Sequence, residues 1–326
     1  MEVEQHPAPA GTAHPRLVGR AELEERLGRV RALVGDPRAG LFGPASRVWS
    51  LNKHAITFLG AGRAALLQLA HPYVAYGVDR HSATRHDPLG RFQRTFGRVF
   101  AMVYGDLESA LAAARAVHRI HEGVTGRTPR AAGPFAAGAT YRANEPEALI
   151  WVHATLWDTS LLVYELVLGR VEEAVKAEYY EETKRFAWLF GIPDDVLPPD
   201  WPSFAAYVAR MLAGDTLSVT PEAAAMAGFL FEPMHALLAP LARRSALVTA
   251  WLLPQHLAAG FGLDRGGATG HRTFERTIAQ LRWLVPRLPR RLRYLPPYVE
   301  ARRRLAGRTD RDLVGEWLGR AFVGAR

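Results

Sequence analysis

Residues 87–126 read DPLGRFQRTFGRVFAMVYGDLESALAAARAVHRIHEGVTG and predict two helices joined by a short turn. In each half, apolar side chains recur every three or four residues, which places them on one face of a helix. The first face consists of Leu89, Phe92, Phe96, Val99 and Val103. The second face consists of Leu107, Leu111, Ala114, His118, His121 and Thr125. Helix starts are predicted at Asp87-Pro88 and Asp106, and a helix end at Gly123 and Gly126, because these residue types favour those positions.

The second of these helices places two imidazoles, His118 and His121, on a face that otherwise consists of leucine, alanine and threonine. A buried imidazole needs a partner, and a metal ion is one candidate. A single buried histidine is usually structural, whereas two on one face keep both a structural and a ligand-binding interpretation open. His153 lies on an apolar face of a later helical segment and could face the same pocket.

Polar residues flank the apolar face of the first helix. Arg91 and Thr95 lie one turn apart beside it, and Arg94 lies one turn from Arg91. An arginine at the edge of an apolar face can bind a carboxylate or a propionate. The alternative is an ordinary surface cation that extends into solvent.

Helical periodicity extends along most of the chain. It predicts further helices over residues 21–33, 62–70, 144–168, 171–190, 203–213, 221–239, 242–262, 272–285 and 310–322. Asn144 and Glu147 resemble a capping box, and Pro72 is expected to close the helix over 62–70. Residues 71–82 are expected to form a buried connection, either near a pocket or at a helix junction. Strand patterns are scarce, so the prediction is an all-α fold with one domain over residues 17–326, after a disordered tail at 1–16.

Composition narrows the function classes. The 326 residues include no cysteine, which excludes disulfides, thiolate metal sites and cysteine nucleophiles. The net charge is +9, and an arginine-rich segment over residues 287–308 contributes much of it. That segment could contact an anionic membrane or form a solvated surface, while nucleic acid is not expected because no zinc finger or RNA-binding signature accompanies it. The N-terminus lacks an apolar signal segment, and Pro254 and His256 interrupt residues 247–263, so a cytoplasmic protein is expected.

Several catalytic motifs are absent from the sequence. It contains no Walker A, GxSxG or HExxH motif. No glutamate lies three residues before His118, His121 or His153, which argues against a dinuclear carboxylate site. Gly60-Ala61-Gly62 does not complete a dinucleotide-binding motif, so we interpret it as a bend that lets helices approach closely.

Four separated blocks resemble a known family. They are GRAALLQLAHPYVAYGVDRHS (62–82), DPLGRFQRTF (87–96), VHRIHEGVTG (117–126) and YRANEPEALIWVHATL (141–156). In this order they are similar to the MpaB-type oxygenase family, which includes latex clearing protein, the rubber oxygenase. The resemblance covers roughly residues 45–265, most of the chain.

The resemblance implies a haem b protein with a globin-like helical core and additional flanking helices, in which iron uses dioxygen to cleave carbon–carbon double bonds. His121 matches the proximal iron ligand of the family, so it is the predicted metal ligand. His118 and His153 match further histidines of the pattern and would support the cofactor pocket. Arg91 and Thr95 match the arginine and threonine of the distal-side helix and are the predicted catalytic residues.

Two positions depart from the pattern of the rubber-cleaving members. Arg94, which would also contact the cofactor, stands where those enzymes place a lysine that can ligate the iron. Arginine stays protonated and cannot easily replace it, so the distal position would be open, filled by water or otherwise ligated. The glutamate base of those enzymes has no counterpart, since only Asp79 and Asp87 are acidic between residues 60 and 90. Both differences argue against rubber as the substrate.

The expected function is therefore a haem-dependent oxygenase that acts with dioxygen on an apolar, unsaturated small molecule. The alternative is a non-catalytic carrier of haem or of a lipophilic ligand, which could also associate with membrane surfaces. The sequence leaves the oligomeric state open.

Overall fold

The structure, a computed structural model, describes residues 16–81, 88–232 and 235–308, without the side chains of Pro88, Leu89, Arg91, Phe92 and Ala236. The described residues form fifteen α-helices, which are α1 (Arg20–Leu33), α2 (Arg47–Asn52), α3 (Ala61–Leu69), α4 (Pro72–His81), α5 (Pro88–Tyr104), α6 (Leu107–Glu122), α7 (Pro146–Leu168), α8 (Glu173–Trp188), α9 (Trp201–Ala213), α10 (Pro221–Leu230), α11 (Ala239–Leu252), α12 (Gln255–Gly260), α13 (Gly267–Leu284), α14 (Arg290–Arg293) and α15 (Pro296–Leu305). Short 3₁₀ segments lie at Pro37–Ala39, Ala55–Gly60, Ala236–Leu238 and Val285–Arg287. Two short strands, β1 (Thr125–Arg127) and β2 (Thr140–Arg142), pair antiparallel. The prediction of an all-α fold is confirmed.

Helices α5 and α6 form the hairpin predicted from residues 87–126. The carboxylate of Asp106 caps α6 by accepting a hydrogen bond from the Ser109 amide at 2.8 Å. A Cβ at Gly105 would lie 2.2 Å from the Ala101 carbonyl oxygen, so glycine is required in this tight turn. The buried face of α6 includes Leu107, Ala110, Leu111, Ala114 and His118. This face ends with the helix at Glu122, because Thr125 belongs to β1 and is exposed.

Two glycines let three helical elements approach one another closely. A Cβ at Gly60 would lie 2.4 Å from Cγ2 of Thr159 in α7. A Cβ at Gly62 would lie 2.5 Å from Oγ1 of Thr249 in α11. The interpretation of residues 60–62 as a close-approach bend is therefore confirmed, and larger residues would push α7 and α11 away from α3.

A buried ion pair joins the same three helices. Arg63 in α3 is only 4% exposed, and its Nη1 lies 2.7 Å from Oδ2 of Asp158 in α7. The guanidinium also donates to the hydroxyl of Thr159 and, through Nε, to the carbonyl oxygen of Leu252 at 2.9 Å. The charge is thus paired and hydrogen-bonded within the core, as a buried cation requires.

Several predicted helix boundaries are wrong, mostly at prolines. The helix predicted over 62–70 is α3, which ends at Leu69 before Pro72, but Pro72 also begins α4, where its missing N–H leaves no helical hydrogen bond unmade. Within the predicted connection over residues 71–82, Pro72–His81 therefore form a helix. The helix predicted over 242–262 is divided at Pro254 into α11 and α12, and the one predicted over 221–239 ends at Leu230. The helices α2, α14 and α15 were not predicted.

The two ends of the chain lie partly outside the described residues. The predicted tail falls there except for Arg16, whose guanidinium pairs with Asp195 at 2.7 Å. The helix predicted over 310–322 also falls outside them.

Within the arginine-rich segment, Arg304 donates to the carbonyl oxygens of Arg38 and Tyr104, at 2.9 and 2.7 Å, so it holds the fold together instead of extending into solvent. Among the described residues, no helix combines the length and the apolar character needed to cross a membrane.

Candidate functional site

His121 lies in the last turn of α6 and is half-buried. Burial lowers the pKa of His121 to about 4; a hydrogen bond with the Asn144 side chain opposes this shift, and the neighbouring His118 reinforces it. His121 is therefore uncharged at neutral pH. The neutral imidazole is the form that ligates metal ions.

Asn144 is brought to His121 by the short β-hairpin that follows α6. The amide of Val124 donates to the His121 carbonyl oxygen, and the amide of Ala143 donates to the Val124 carbonyl oxygen, both at 3.0 Å. The Asn144 carbonyl oxygen accepts from the Val18 amide at 3.0 Å, and Asn144 is only 8% exposed. The side chain of Asn144 is thus held beside the C-terminal end of α6.

The side chain of Asn144 lies close enough to the His121 imidazole to raise its pKa, against the larger effect of burial. Metal-ligating histidines commonly have a polar partner beside the ring, which orients it.

The predicted capping box at Asn144 and Glu147 is wrong. Helix α7 begins at Pro146 with Glu145 as its N-cap, and no side chain caps it. Asn144 contacts His121 instead, a long-range contact that no local pattern indicates. Glu145 was also missed: it is 5% exposed, and burial raises the pKa of its carboxyl to about 7. A carboxyl with such a pKa can gain or lose a proton near neutral pH.

His118 is more deeply buried than His121, at 5% exposure. Neither of its ring nitrogens has a hydrogen-bond partner within the described part of the chain. Nε2 lies 3.5 Å from Oε1 of Glu122, too long for a well-formed hydrogen bond. These unsatisfied nitrogens are costly in a protein interior, and a bound group with polar atoms would relieve that cost.

His153 is also buried, but it belongs to the interface of α7 and α8. Its Nδ1 accepts a hydrogen bond from the indole nitrogen of Trp157 at 3.1 Å, and its ring stacks on Phe186 with the centroids 6.0 Å apart. Burial lowers the pKa of His153 to about 3, so the imidazole is neutral, with its proton on Nε2. Within the described part of the chain, no hydrogen bond or ring contact joins it to His118 or His121.

The polar residues of α5 lie at the level of the α6 histidines. Arg94 precedes the turn residue Gly105 by 11 positions, and His118 follows Asp106 by 12 positions. Because both helices rise about 1.5 Å per residue, Arg94 and Thr95 lie near the same end of the hairpin as His118 and His121. Arg94 and Thr95 are exposed there, and the side chain of Arg91 is outside the described part of the structure.

The described residues contain no group of three or more histidine, aspartate or glutamate side chains that could hold a metal ion. A metal bound through the protein alone would need such a group. A porphyrin supplies four of the iron ligands itself, so one neutral imidazole suffices for haem. A haem group would therefore need only one imidazole ligand from this chain.

Comparison with known proteins identifies the family. The family model described as "ER-bound oxygenase mpaB/B'/Rubber oxygenase, catalytic domain" matches residues 49–283, well over half of the chain. The chain belongs to this family. An uncharacterised protein of Mycobacterium bovis and one of Mycobacterium tuberculosis are each 28% identical to it over 236 residues, which cover 69% of this chain and 88% of each relative. No solved structure matches.

Membership of the MpaB/rubber oxygenase family confirms the resemblance seen in the four sequence blocks and supports an oxygenase at the level of enzyme class. The six predicted site residues all lie within the matched range, and they are Arg91, Arg94, Thr95, His118, His121 and His153. Their individual roles stay predictions.

This oxygenase-family chain also contains an apolar cavity of about 90 Å³ beside the C-terminal half of α5. Its walls come from α3, α5, α7 and the 3₁₀ segment Ala55–Gly60, and they include Phe58, Phe96, Val99, Phe100, Leu156 and Trp157. None of the described histidines lines it. His153 contacts it only indirectly, through its hydrogen bond with the indole of Trp157. The expectation that His153 faces one pocket with the α6 histidines stays a prediction.

Proposed function

We propose that this protein is a haem b-dependent oxygenase that acts with dioxygen on an apolar, unsaturated small molecule. The observation that carries the proposal is His121, a neutral imidazole with the Asn144 side chain beside it, in a chain of an oxygenase family. The nitrogens of His118 that lack partners among the described residues add to the fit, because a buried group beside them would be favoured.

In this proposal, His121 is the protein ligand of the haem iron, and Asn144 orients its ring. Bound haem would supply the activation of dioxygen, which the protein side chains cannot provide themselves. The guanidinium of Arg94 can hold a propionate or another anionic group at the open end of the hairpin. Arg91 and Thr95 are proposed to supply polar contacts on the opposite side of the site.

The apolar cavity beside α5 is the proposed compartment for part of the substrate. Phe96, which lines it, directly follows Thr95, so a single helix carries both the proposed polar groups and the cavity wall. Aromatic and aliphatic walls favour apolar ligands and exclude water from them.

Dioxygen uptake tests the proposal. Purified protein loaded with haem b and reduced should consume dioxygen when given an isoprenoid alkene, but not its saturated analogue. Cleavage of the double bond by one dioxygen yields two carbonyl groups, so mass spectrometry with ¹⁸O₂ should find label in both products. Haem binding with no alkene-dependent uptake would instead support the alternative of a non-catalytic carrier.

A second candidate property is contact with anionic membrane surfaces. Trp283 and Leu292 are 62% and 55% exposed, and they flank Arg287, Arg290 and Arg291, which are exposed as well. The Arg287 guanidinium lies 4.8 Å from the centre of the Trp283 ring, so apolar and cationic groups share this surface. Such a combination favours the interface of a negatively charged bilayer.

Vesicle sedimentation tests this second candidate. We expect the protein to bind vesicles containing phosphatidylglycerol and not vesicles of pure phosphatidylcholine. Leu292→Ser should lower the binding constant about ten- to a hundredfold, since one inserted leucine contributes about 1.5–3 kcal/mol. Leu33→Ser is the matched control because Leu33 is similarly exposed, at 54%, but lies in α1. Equal losses from the two variants would contradict a membrane role of this surface.

A further inference from the structure

Trp157 lines the apolar cavity, and a neighbouring histidine holds the polar atom of its indole. Trp157 lies in α7 and is 5% exposed. Its indole N–H donates to Nδ1 of His153, one helical turn earlier in α7, at 3.1 Å. Three other rings of the cavity wall, those of Phe58, Phe96 and Phe100, carry no polar atom. Trp157 differs from them because a directional bond, in addition to packing, determines how its ring lies.

Packing alone defines the orientation of the Trp157 ring less sharply than the hydrogen bond does. The ring meets that of Phe186 edge to face with the centroids 5.0 Å apart, and its centroid lies 5.9 Å from that of Tyr179 and 6.4 Å from that of Phe42. These contacts are apolar, and the χ2 torsion of an indole is broad and roughly two-fold. An indole turned over about χ2 would lose the bond to His153, so this bond selects one orientation.

The acceptor itself is fixed and stays uncharged. His153 is 2% exposed, and its ring stacks on that of Phe186 with an angle of 29° between the two planes. Burial lowers the pKa of His153 to about 3, so Nδ1 keeps its lone pair at neutral pH. The hydrogen bond with Trp157 is therefore present throughout the physiological pH range.

His153 also carries a cost that phenylalanine would avoid at the same position. Its Nε2, the protonated ring nitrogen, is buried without a hydrogen-bond partner in the described part of the chain. An unsatisfied buried N–H is destabilising, whereas the ring of a phenylalanine would fill the same space without it. What histidine adds to this position is the Nδ1 acceptor, which Trp157 uses.

We propose that His153 is a positioning residue of the apolar cavity: it holds the Trp157 indole in one orientation, and this orientation sets the shape that an apolar ligand meets. The inference rests on the proposed function only in treating that ligand as a substrate. It assigns His153 to the substrate compartment through a contact with the cavity wall, and it requires no contact between His153 and the ligand. Binding to the cavity does not require haem, so the inference and the oxygenase proposal can fail separately.

Cyclohexene binding tests the inference. Its dissociation constant is measured by ligand-observed NMR for the full chain without added haem. His153→Phe should weaken binding about three- to tenfold, because the ligand must then immobilise the indole itself. Tyr180→Phe is the matched control: it also removes a buried hydrogen bond, to the Pro198 carbonyl oxygen at 2.6 Å, but Tyr180 does not line the cavity. That variant should change binding less than about twofold.

A double variant tests whether His153 acts through Trp157. Trp157→Phe removes the indole, so adding His153→Phe to it should change cyclohexene binding less than about twofold further. The pair His153→Asn and His153→Leu isolates the acceptor, since the two side chains are of similar size and only asparagine retains an oxygen near the position of Nδ1. His153→Asn should bind cyclohexene more tightly than His153→Leu.

The indole N–H signal of Trp157 in ¹H–¹⁵N NMR spectra provides a readout that loss of packing alone would not reproduce. The signal is assigned by its disappearance in Trp157→Phe. It should shift in His153→Phe and His153→Leu, which lack the acceptor, and shift less in His153→Asn. Circular dichroism and the melting temperature of each variant establish that the fold is retained. Should His153→Phe not fold, the asparagine and leucine variants compare the acceptor directly.

Several results would overturn the inference. They are unchanged cyclohexene binding in His153→Phe, an equal further loss when His153→Phe is added to Trp157→Phe, equal binding by the asparagine and leucine variants, or no binding by the full chain. A lower haem-to-protein ratio in His153→Phe with unchanged cyclohexene binding would instead assign His153 to the cofactor pocket. The predicted loss of cyclohexene binding in a chain that binds no haem would support the inference while contradicting the oxygenase proposal.

Discussion

Replacing His121 by alanine is expected to abolish haem retention, whereas replacing His118 by alanine should only weaken it. His121 is the proposed iron ligand, so its removal leaves the iron without a protein donor. His118 would lose only a neighbouring contact within the pocket. The measurement is the haem-to-protein ratio after reconstitution and gel filtration, read from the absorption spectrum. Added imidazole should restore part of the spectrum in His121→Ala, because a free imidazole can occupy the vacated position.

Asn144→Leu provides an intermediate point in the same series. It removes the polar side chain beside the His121 ring, which we propose orients that ring, but keeps the proposed ligand itself. Loss of such an orienting partner typically lowers metal affinity about 10–100-fold, so haem binding should weaken to that extent without disappearing. The iron–histidine stretching frequency in resonance Raman spectra should also fall, a readout that a purely structural role of Asn144 would not change. Equal haem loss from His118→Ala and His121→Ala would contradict the ligand assignment.

Replacing Arg63 by leucine should lower the free energy of unfolding by about 3–5 kcal/mol, because it leaves the Asp158 carboxylate without its cation in a largely buried position. Urea unfolding followed by circular dichroism measures the change. Arg16→Leu is the matched control: it breaks a pair of the same length, 2.7 Å, whose partners are 51% and 68% exposed. That variant should lose less than about 1 kcal/mol, since solvent screens exposed pairs.

The double variant Arg63→Leu with Asp158→Leu refines this test. Removing the second charge should recover part of the stability lost in Arg63→Leu, because no carboxylate is then left unpaired. If the single variant loses no more than Arg16→Leu, the guanidinium does not hold α3, α7 and α11 together as described.

Local chemistry made the α5–α6 hairpin predictable. The capping residue Asp106 and its hydrogen-bond partner Ser109 are only three positions apart in the sequence, so the start of α6 is encoded locally. The spacing of the apolar residues likewise placed His118 on the buried face of α6. The boundaries around Pro72 were not predictable in the same way, since proline both follows helix ends and begins helices. Tertiary packing decides between the two.

The candidate site depended on contacts that no local pattern encodes. Asn144 reaches His121 through a hairpin and lies 23 positions along the chain, so its residue type indicated a helix cap instead. The cavity was missed because its walls come from several separated elements. Family resemblance identified His121, His118 and His153 together; in the structure His153 accepts a hydrogen bond from Trp157 at the α7–α8 interface, and its place in the same pocket stays a prediction.

A haem titration of the purified full chain tests the central claim most directly. Absorption spectra should show a Soret band distinct from that of free haem, which grows until haem and protein are equimolar and which His121→Ala removes. A spectrum that stays that of free haem at every ratio, or a Soret band that is unchanged in His121→Ala, would contradict a haem site built on His121.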